Sequence, residues 1–262
     1  EVEGVGYQPS GQFCQNNQPI SPASINGDKT LSLLLKAAAL CNNAYLKQNE
    51  GNKQWEIMGD PTEGALLVAA RKAGYQKEFL DKEYPRLKEL PFDSDRKRMS
   101  TIHETPDGTR LLLVKGAIDQ IVDRCVQYSN NEVELSWSDA ILKKVFAQNN
   151  KLTTSALRVL ALAYRELTTD EENIIKQNQK LDFEKTESGL IFLGLIAMAD
   201  PPRLEAKEAV QKCQKAGIRP VMITGDFPLT AQAIAEQIGI YQTGDRIITG
   251  LELEKMSQQE LE

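Results

Sequence analysis

Several short stretches of this sequence combine residue types that hold phosphate, a divalent cation or a planar base. Thr224-Gly225-Asp226 follows the apolar run Ile218 to Ile223. With that run as a parallel strand, the tripeptide lies at its carboxyl edge, where ligands sit in open α/β sheets. Thr224 offers a hydroxyl, Gly225 lets the backbone approach closely and Asp226 offers a carboxylate, a set that suits phosphate and Mg²⁺. The ordinary alternative is a strand-to-helix turn with Asp226 as N-cap. Asp200-Pro201-Pro202-Arg203 ends another apolar run, and its prolines hold the Asp and Arg in a rigid exit. A stiff hinge with a surface ion pair would have the same composition.

Pro91 to Ser100 sets one aromatic beside a basic cluster. Phe92 is able to stack on a base, with Lys97 beside it for phosphate; alternatively Phe92 is core and the charges are solvated. Lys115-Gly116 joins a strand to a helix, where the Lys can contact a nucleotide and the Gly gives backbone access. The pattern is too short to be specific and is no Walker A loop. Arg158 enters an apolar strand, either to grip a phosphate bidentately or to cover the sheet end. Glu63 can accept from an adenine amino group. It is also the third helical residue after Asp60-Pro61, where it would reach back to the cap N–H. Gly27-Asp28-Lys29-Thr30 resembles the start of a phosphorylation signature but continues Leu-Ser, and is read as a helix cap.

The elements that must carry these residues follow from periodicity. Residues 1–27 are irregular with one short edge strand. Helices are predicted over 31–44, from Pro61 to the terminator Gly74, and over 118–126 and 139–157. Strands are predicted over 55–58, 87–91, 99–103, 110–114 and 158–164, the turn Pro106-Asp107-Gly108 making this an antiparallel sheet flanked by helices. The texture changes after Ser188. Strand 190–199, helix 204–216, strand 218–224 and helix 229–238 then read as a parallel, Rossmann-like α/β segment. The expected division is residues 1–187 and 188–262.

Composition narrows the function classes. The 262 residues carry 31 Lys+Arg against 37 Asp+Glu, a net charge of −6, which argues against a broad nucleic-acid face. Four cysteines without CxxC spacing read as buried thiols, and a single His leaves little room for zinc or for Ser-His-Asp chemistry. No apolar run reaches the roughly 18–20 residues of a membrane helix. Glu1-Val2-Glu3-Gly4 has no initiator Met or signal peptide and reads as the start of an excised piece.

Taken together, Gly59-Asp60-Pro61-Thr62-Glu63, Phe92 to Lys97, Lys115-Gly116-Ala117, Leu157-Arg158, Asp200-Pro201-Pro202-Arg203 and Thr224-Gly225-Asp226 resemble the cytoplasmic part of a P-type cation-transporting ATPase of the calcium-pump-like subgroup. The resemblance covers essentially the whole chain. It implies an α+β nucleotide-binding domain followed by part of a haloacid-dehalogenase-like phosphorylation domain. By that resemblance Phe92 stacks on adenine and Glu63 hydrogen-bonds it. Lys97, Lys115 and Gly116 line the pocket, and Arg158 meets the phosphates. Asp200, Arg203, Thr224, Gly225 and Asp226 belong to the phosphoryl and Mg²⁺ side. ATP and Mg²⁺ are the implied ligands. The implied partners are the remaining phosphorylation, actuator and transmembrane domains of a pump, at the cytoplasmic face of a membrane, with calcium the expected ion. The Asp-Lys-Thr-Gly-Thr nucleophile motif and the Gly-Asp-Gly-x-Asn-Asp motif do not occur in the chain. Ser94 and Ile118 stand where relatives carry a basic residue and a Pro. Two competitors are a soluble haloacid-dehalogenase-like phosphatase and a non-catalytic interaction module.

Overall fold

The computed structural model describes all residues except 5, 52, 132, 156, 200–203, 225–227, 243, 254–255 and 258–262. Contacts divide the chain into two compact units, residues 1–149 with 159–198, and residues 150–158 with 199–262.

The N-terminal region holds a hairpin where one edge strand was expected. Strands β1 (Phe13–Gln15) and β2 (Gln18–Ile20) pair antiparallel across Asn16 and Asn17, both at positive φ, the conformation two-residue hairpin turns require. Helix α1 (Pro22–Gly27) leads into α2 (Lys29–Leu40), whose N-cap Asp28 accepts from the Leu31 N–H at 2.9 Å. Gly27-Asp28-Lys29-Thr30 is therefore a cap, as read. A second hairpin, β3 (Tyr45–Gln48) and β4 (Trp55–Met58), precedes α3 (Pro61–Lys72). Gly64 of α3 lies against Ile57, where a Cβ would come within 2.7–2.9 Å of that side chain. The short α4 (Lys77–Glu83) follows; its seven residues carry too little periodicity to be read from sequence.

Next come β5 (Arg86–Asp93), β6 (Arg98–Glu104), β7 (Arg110–Gly116) and α5 (Ile118–Val122). The helix expected over 118–126 stops at Val122, and a further hairpin, β8 (Cys125–Asn130) with β9 (Val133–Ser136), takes its last two residues and a stretch not assigned from sequence. Then follow α6 (Asp139–Thr154), β10 (Arg158–Glu166), α7 (Thr169–Lys176), α8 (Phe183–Thr186) and β11 (Leu190–Met198). Seven strands form one mixed sheet in the order β5-β6-β7-β10-β11-β8-β9. β5, β6, β7 and β10 pair antiparallel, and β11 pairs β8 in parallel. The fold is α+β, with a mixed sheet flanked by helices.

The sheet has two covered faces, so β7 is apolar from Leu111 to Val114 and buried from Leu111 to Gly116. Its Leu111 and Leu113 join Met99, Leu162 and the apolar faces of α2 and α3 on one side. Leu112 and Val114 join Ile102, Ala163, Ile121 and Leu190 on the other. Each fully buried leucine contributes roughly 2 kcal/mol by leaving water. β11 belongs to this sheet, so the texture change at Ser188 and the edge of the first compact unit after Met198 do not coincide.

The second unit contains α9 (Leu204–Lys215), α10 (Pro228–Ile238) and α11 (Gly250–Leu253). The expected strand 218–224 is not formed. These residues join no ladder, and Ile218, Val221 and Ile223 are largely exposed, Ile223 at 94%. A parallel strand exists only with hydrogen-bonded neighbours and helices over both faces, and the described residues supply neither. Amides of Arg219 and of Val221 to Ile223 are therefore expected to exchange at nearly unprotected rates while those of Ile191 to Leu193 match β7. Equal protection of the two stretches would contradict this.

His103 on β6 is completely buried. Its Nδ1 donates to the Tyr84 carbonyl at 2.9 Å, since a carbonyl can only accept, and Nε2 has no partner. Burial pulls its pKa from 6.5 down to about 4. A base with a depressed folded pKa binds fewer protons folded than unfolded, so its stabilising effect is complete above pH 6.5 and is lost as pH falls toward 4. Unfolding free energy should drop by roughly 3 kcal/mol across that window, and His103→Gln, which keeps a donor for Tyr84, should flatten the slope. Denaturant titrations at pH 7, 5.5 and 4.5 would test it; an unchanged slope in the variant would show that other groups cause it.

Candidate functional site

One end of the sheet gathers Phe92, Lys97, Lys115 and Gly116, with Glu63 of α3 reaching Lys115 there. Asp93 pairs with Arg98, Arg98 with Gly116, and Gly116 with Ala161, a row crossing β5, β6, β7 and β10. In the next row Met99 pairs with Lys115 and Lys115 with Leu162.

Phe92 lies at the outer edge of this row. β5 is an edge strand, and Pro91 within it has no N–H to give the ladder; the register shifts between Leu90 and Asp93. Phe92 is 62% exposed, which excludes the alternative that it is a core residue. The β5–β6 turn is tight. The Asp93 carboxylate accepts from the Asp95 and Arg96 N–H groups at 2.9 and 3.0 Å, and the Lys97 N–H donates to the Asp93 carbonyl at 2.7 Å. Those N–H groups of Arg96 and Asp95 hold the Asp93 carboxyl below the usual carboxylate range. Lys97 sits at φ 49°, in the left-handed region, and is exposed. Its carbonyl accepts from the Ala117 N–H at 3.0 Å, tying the turn to the end of β7.

Lys115 and Glu63 meet. Lys115 is 5% exposed, and its Nζ donates to Glu63 Oε1 at 2.5 Å. The other Glu63 oxygen accepts from the Asn43 N–H at 2.9 Å. The capping-box expectation thus needs correcting. Asp60 caps α3 by accepting from the Thr62 and Glu63 N–H groups at 2.8 and 3.2 Å, while Glu63 directs both carboxylate oxygens away from the cap. An ion pair with a largely buried ammonium outweighs one N–H in the first turn.

Gly116 has a packing reason that sequence did not reveal. A Cβ there would lie 2.5 Å from the Lys97 carbonyl oxygen and 2.7 Å from Arg98 Cβ. Its lack of a side chain allows the close approach of β6 and β7, whatever ligand comes near. Arg158 begins β10, is exposed and falls in the second compact unit. Thr224 is exposed. Asp200, Arg203, Gly225 and Asp226 lie outside the described residues.

Sequence reasoning missed the residues that hold this end together. Asn42 is fully buried and joins α2 to α3, donating to the Ala38 and Glu63 carbonyls at 3.0 and 2.9 Å. Arg86 donates to the Leu40 and Asn42 carbonyls at 2.7 Å each, satisfying the open end of α2. The only legible signal for Arg86 was a cation at a strand start, which is no signal of a helix cap in another segment. A cleft of about 670 Å³ lined by Glu134, Tyr164, Arg165 and Glu171 lies elsewhere, toward the other end of β10, and contains none of the predicted site residues.

Residues 30–205 match the family model described as P-type ATPase, cytoplasmic domain N. The chain is 39% identical to a calcium-transporting ATPase of Bacillus subtilis, the match covering 99% of this chain and 28% of that protein. It is 38% identical to a cation-transporting ATPase of Synechocystis, over all of this chain and 28% of the relative. A sodium/potassium exporting P-type ATPase of Schizosaccharomyces pombe is 36% identical over 95% of this chain and 24% of its own length. The chain spans only about a quarter of the relatives it matches.

Gly116→Ala tests the packing account. Backbone atoms of Lys97 and Arg98 cannot yield as a side-chain tip can, so the variant should lose about 1–3 kcal/mol of stability. A urea midpoint equal to that of the unaltered chain would refute the close approach.

Proposed function

The chain belongs to the family of P-type ATPase cytoplasmic N domains, and on that premise we propose that it binds adenine nucleotide at the sheet end carrying Phe92, Lys97 and Lys115. The observation that carries this reading is Phe92 itself, a large aromatic left exposed by a strand bulge beside an outward, left-handed Lys97. Adenine stacks on Phe92. The Glu63 side chain, oriented by Lys115 and Asn43, accepts from the exocyclic amino group. Lys97 and Lys115 supply positive charge to the phosphates, and Gly116 contributes by letting β6 close against β7 beside them. Arg158 is assigned to the phosphates as well.

Asp200, Arg203, Thr224, Gly225 and Asp226 are proposed to form the phosphoryl and Mg²⁺ side. Among the described residues no group of three or more His, Cys, Asp or Glu is placed to hold a metal ion. When bound, Mg²⁺ neutralises the developing phosphoryl charge. The wider reading is that this chain serves a pump in which ATP phosphorylates an aspartate and drives cation movement, calcium being the ion proposed. The remaining phosphorylation, actuator and transmembrane domains are its proposed partners, and the cytoplasmic face of a membrane its proposed place. No helix among the described residues is long and apolar enough to cross a membrane. The chain contains no Asp-Lys-Thr-Gly-Thr motif and is proposed to bind nucleotide without turning it over.

Base–aromatic stacking is worth about 1–3 kcal/mol, so Phe92→Ala should weaken ATP binding roughly tenfold or more. Lys115→Ala should weaken it comparably through lost charge and a disoriented Glu63. Calorimetric or NMR titration of the 262-residue chain reads both. Wild-type affinity in both variants would remove the nucleotide assignment, and phosphate release by the chain alone would favour a phosphatase.

A further inference from the structure

Arg96, Lys97 and Arg98 are consecutive cations that the fold uses differently. Lys97 is exposed. Its two neighbours turn to one carboxylate, Glu187, which is completely buried and 89 residues from Arg98 in sequence. Arg96 Nη2 donates to Glu187 Oε1 at 2.6 Å and Arg98 Nε to Oε2 at 2.7 Å. The Ser100 hydroxyl donates to Oε1 at 2.7 Å. Arg98 Nη1 donates back to the Arg96 carbonyl at 3.2 Å, and its Nη2 is buried without a partner.

Stability alone does not explain this cluster. Ion pairs buried to this depth recover little beyond their desolvation cost, and apolar residues of similar volume often serve a core as well. What the carboxylate provides is two fixed anchors on either side of Lys97. They act beside the backbone bonds that Lys97 makes to Asp93 and Ala117, since a non-glycine residue in the left-handed region persists only where its surroundings hold it there. We propose that Glu187 is a positioning residue for the nucleotide site, clamping Arg96 and Arg98 so that Lys97 is held outward, beside Phe92, to meet the anionic part of the ligand. The inference rests on the nucleotide reading of this sheet end.

Charge and position predict opposite signs. Two guanidiniums against one carboxylate leave the cluster net positive. Acting only as a charge, Glu187 would oppose a polyanion, and Glu187→Gln would tighten ATP binding. Acting as a clamp, it aids binding, and the same variant weakens it.

The test is ATP titration of the 262-residue chain at a temperature where amide spectra show each variant folded. Glu187→Gln is expected to weaken ATP roughly tenfold, yet to add less than about twofold in a Lys97→Ala background, because coupled residues are not additive. Should Glu187→Gln fail to fold, Arg96→Gln, whose side chain is 24% exposed, reads the same coupling with a smaller loss. Unchanged or tighter ATP affinity, with Phe92→Ala still defective, overturns the clamp and leaves the nucleotide site standing. Losses that add fully to Lys97→Ala also overturn it, since they mark general destabilisation. If Phe92→Ala and Lys97→Ala both bind as the unaltered chain does, the nucleotide reading fails, and this inference with it.

Discussion

The close approach of β6 to β7 at Arg98 and Gly116 is the constraint on which this end of the molecule depends. Only a residue without Cβ fits opposite Arg98, because the Lys97 carbonyl and the Arg98 backbone occupy the space. That contact fixes where the β5–β6 turn ends and brings Lys97 to the strand end carrying Lys115. It also buries the base of Arg98, which must then find an internal anion. Glu187 supplies it from the segment just before β11.

A second dependency runs through the helices. The α2–α3 connection would leave carbonyls open at the end of α2, and Arg86 from β5 satisfies two of them. Asn42 then links the end of α2 to the start of α3, where Glu63 sits. Glu63 is thus held by its own helix, by Asn43 and by Lys115 from the sheet. A carboxylate in that position is pre-oriented, so little ordering remains to be done when a ligand arrives.

Much of the fold was legible because Leu111 to Val114 of β7 and all of β11 read as apolar runs and α3 carries Asp-Pro at its start and Gly74 after its end. The β8–β9 hairpin and α4 were not, being short, half-polar and without strong turn signals. The run 218–224 shows the opposite failure. Its composition is that of a buried parallel strand, yet composition cannot provide the neighbours that make one, and its residues stand exposed. Of the site, Phe92, Lys97, Lys115 and Glu63 were legible as residue types. Their grouping was not, since Glu63 and Lys115 are 52 residues apart in the chain.

The sequence by itself determined the family resemblance, the order of most elements and the residues able to meet a base or a phosphate, because each depends on local composition and spacing. Only the tertiary structure decided that Phe92 faces solvent, that Glu63 serves Lys115 and Asn43 instead of its helix cap, that Gly116 is required by packing, and that a buried Glu187 anchors the turn. All four follow from contacts between segments far apart in the chain. Their outcome depends on which of several competing partners comes within hydrogen-bonding or van der Waals reach, and only the folded sheet sets those distances.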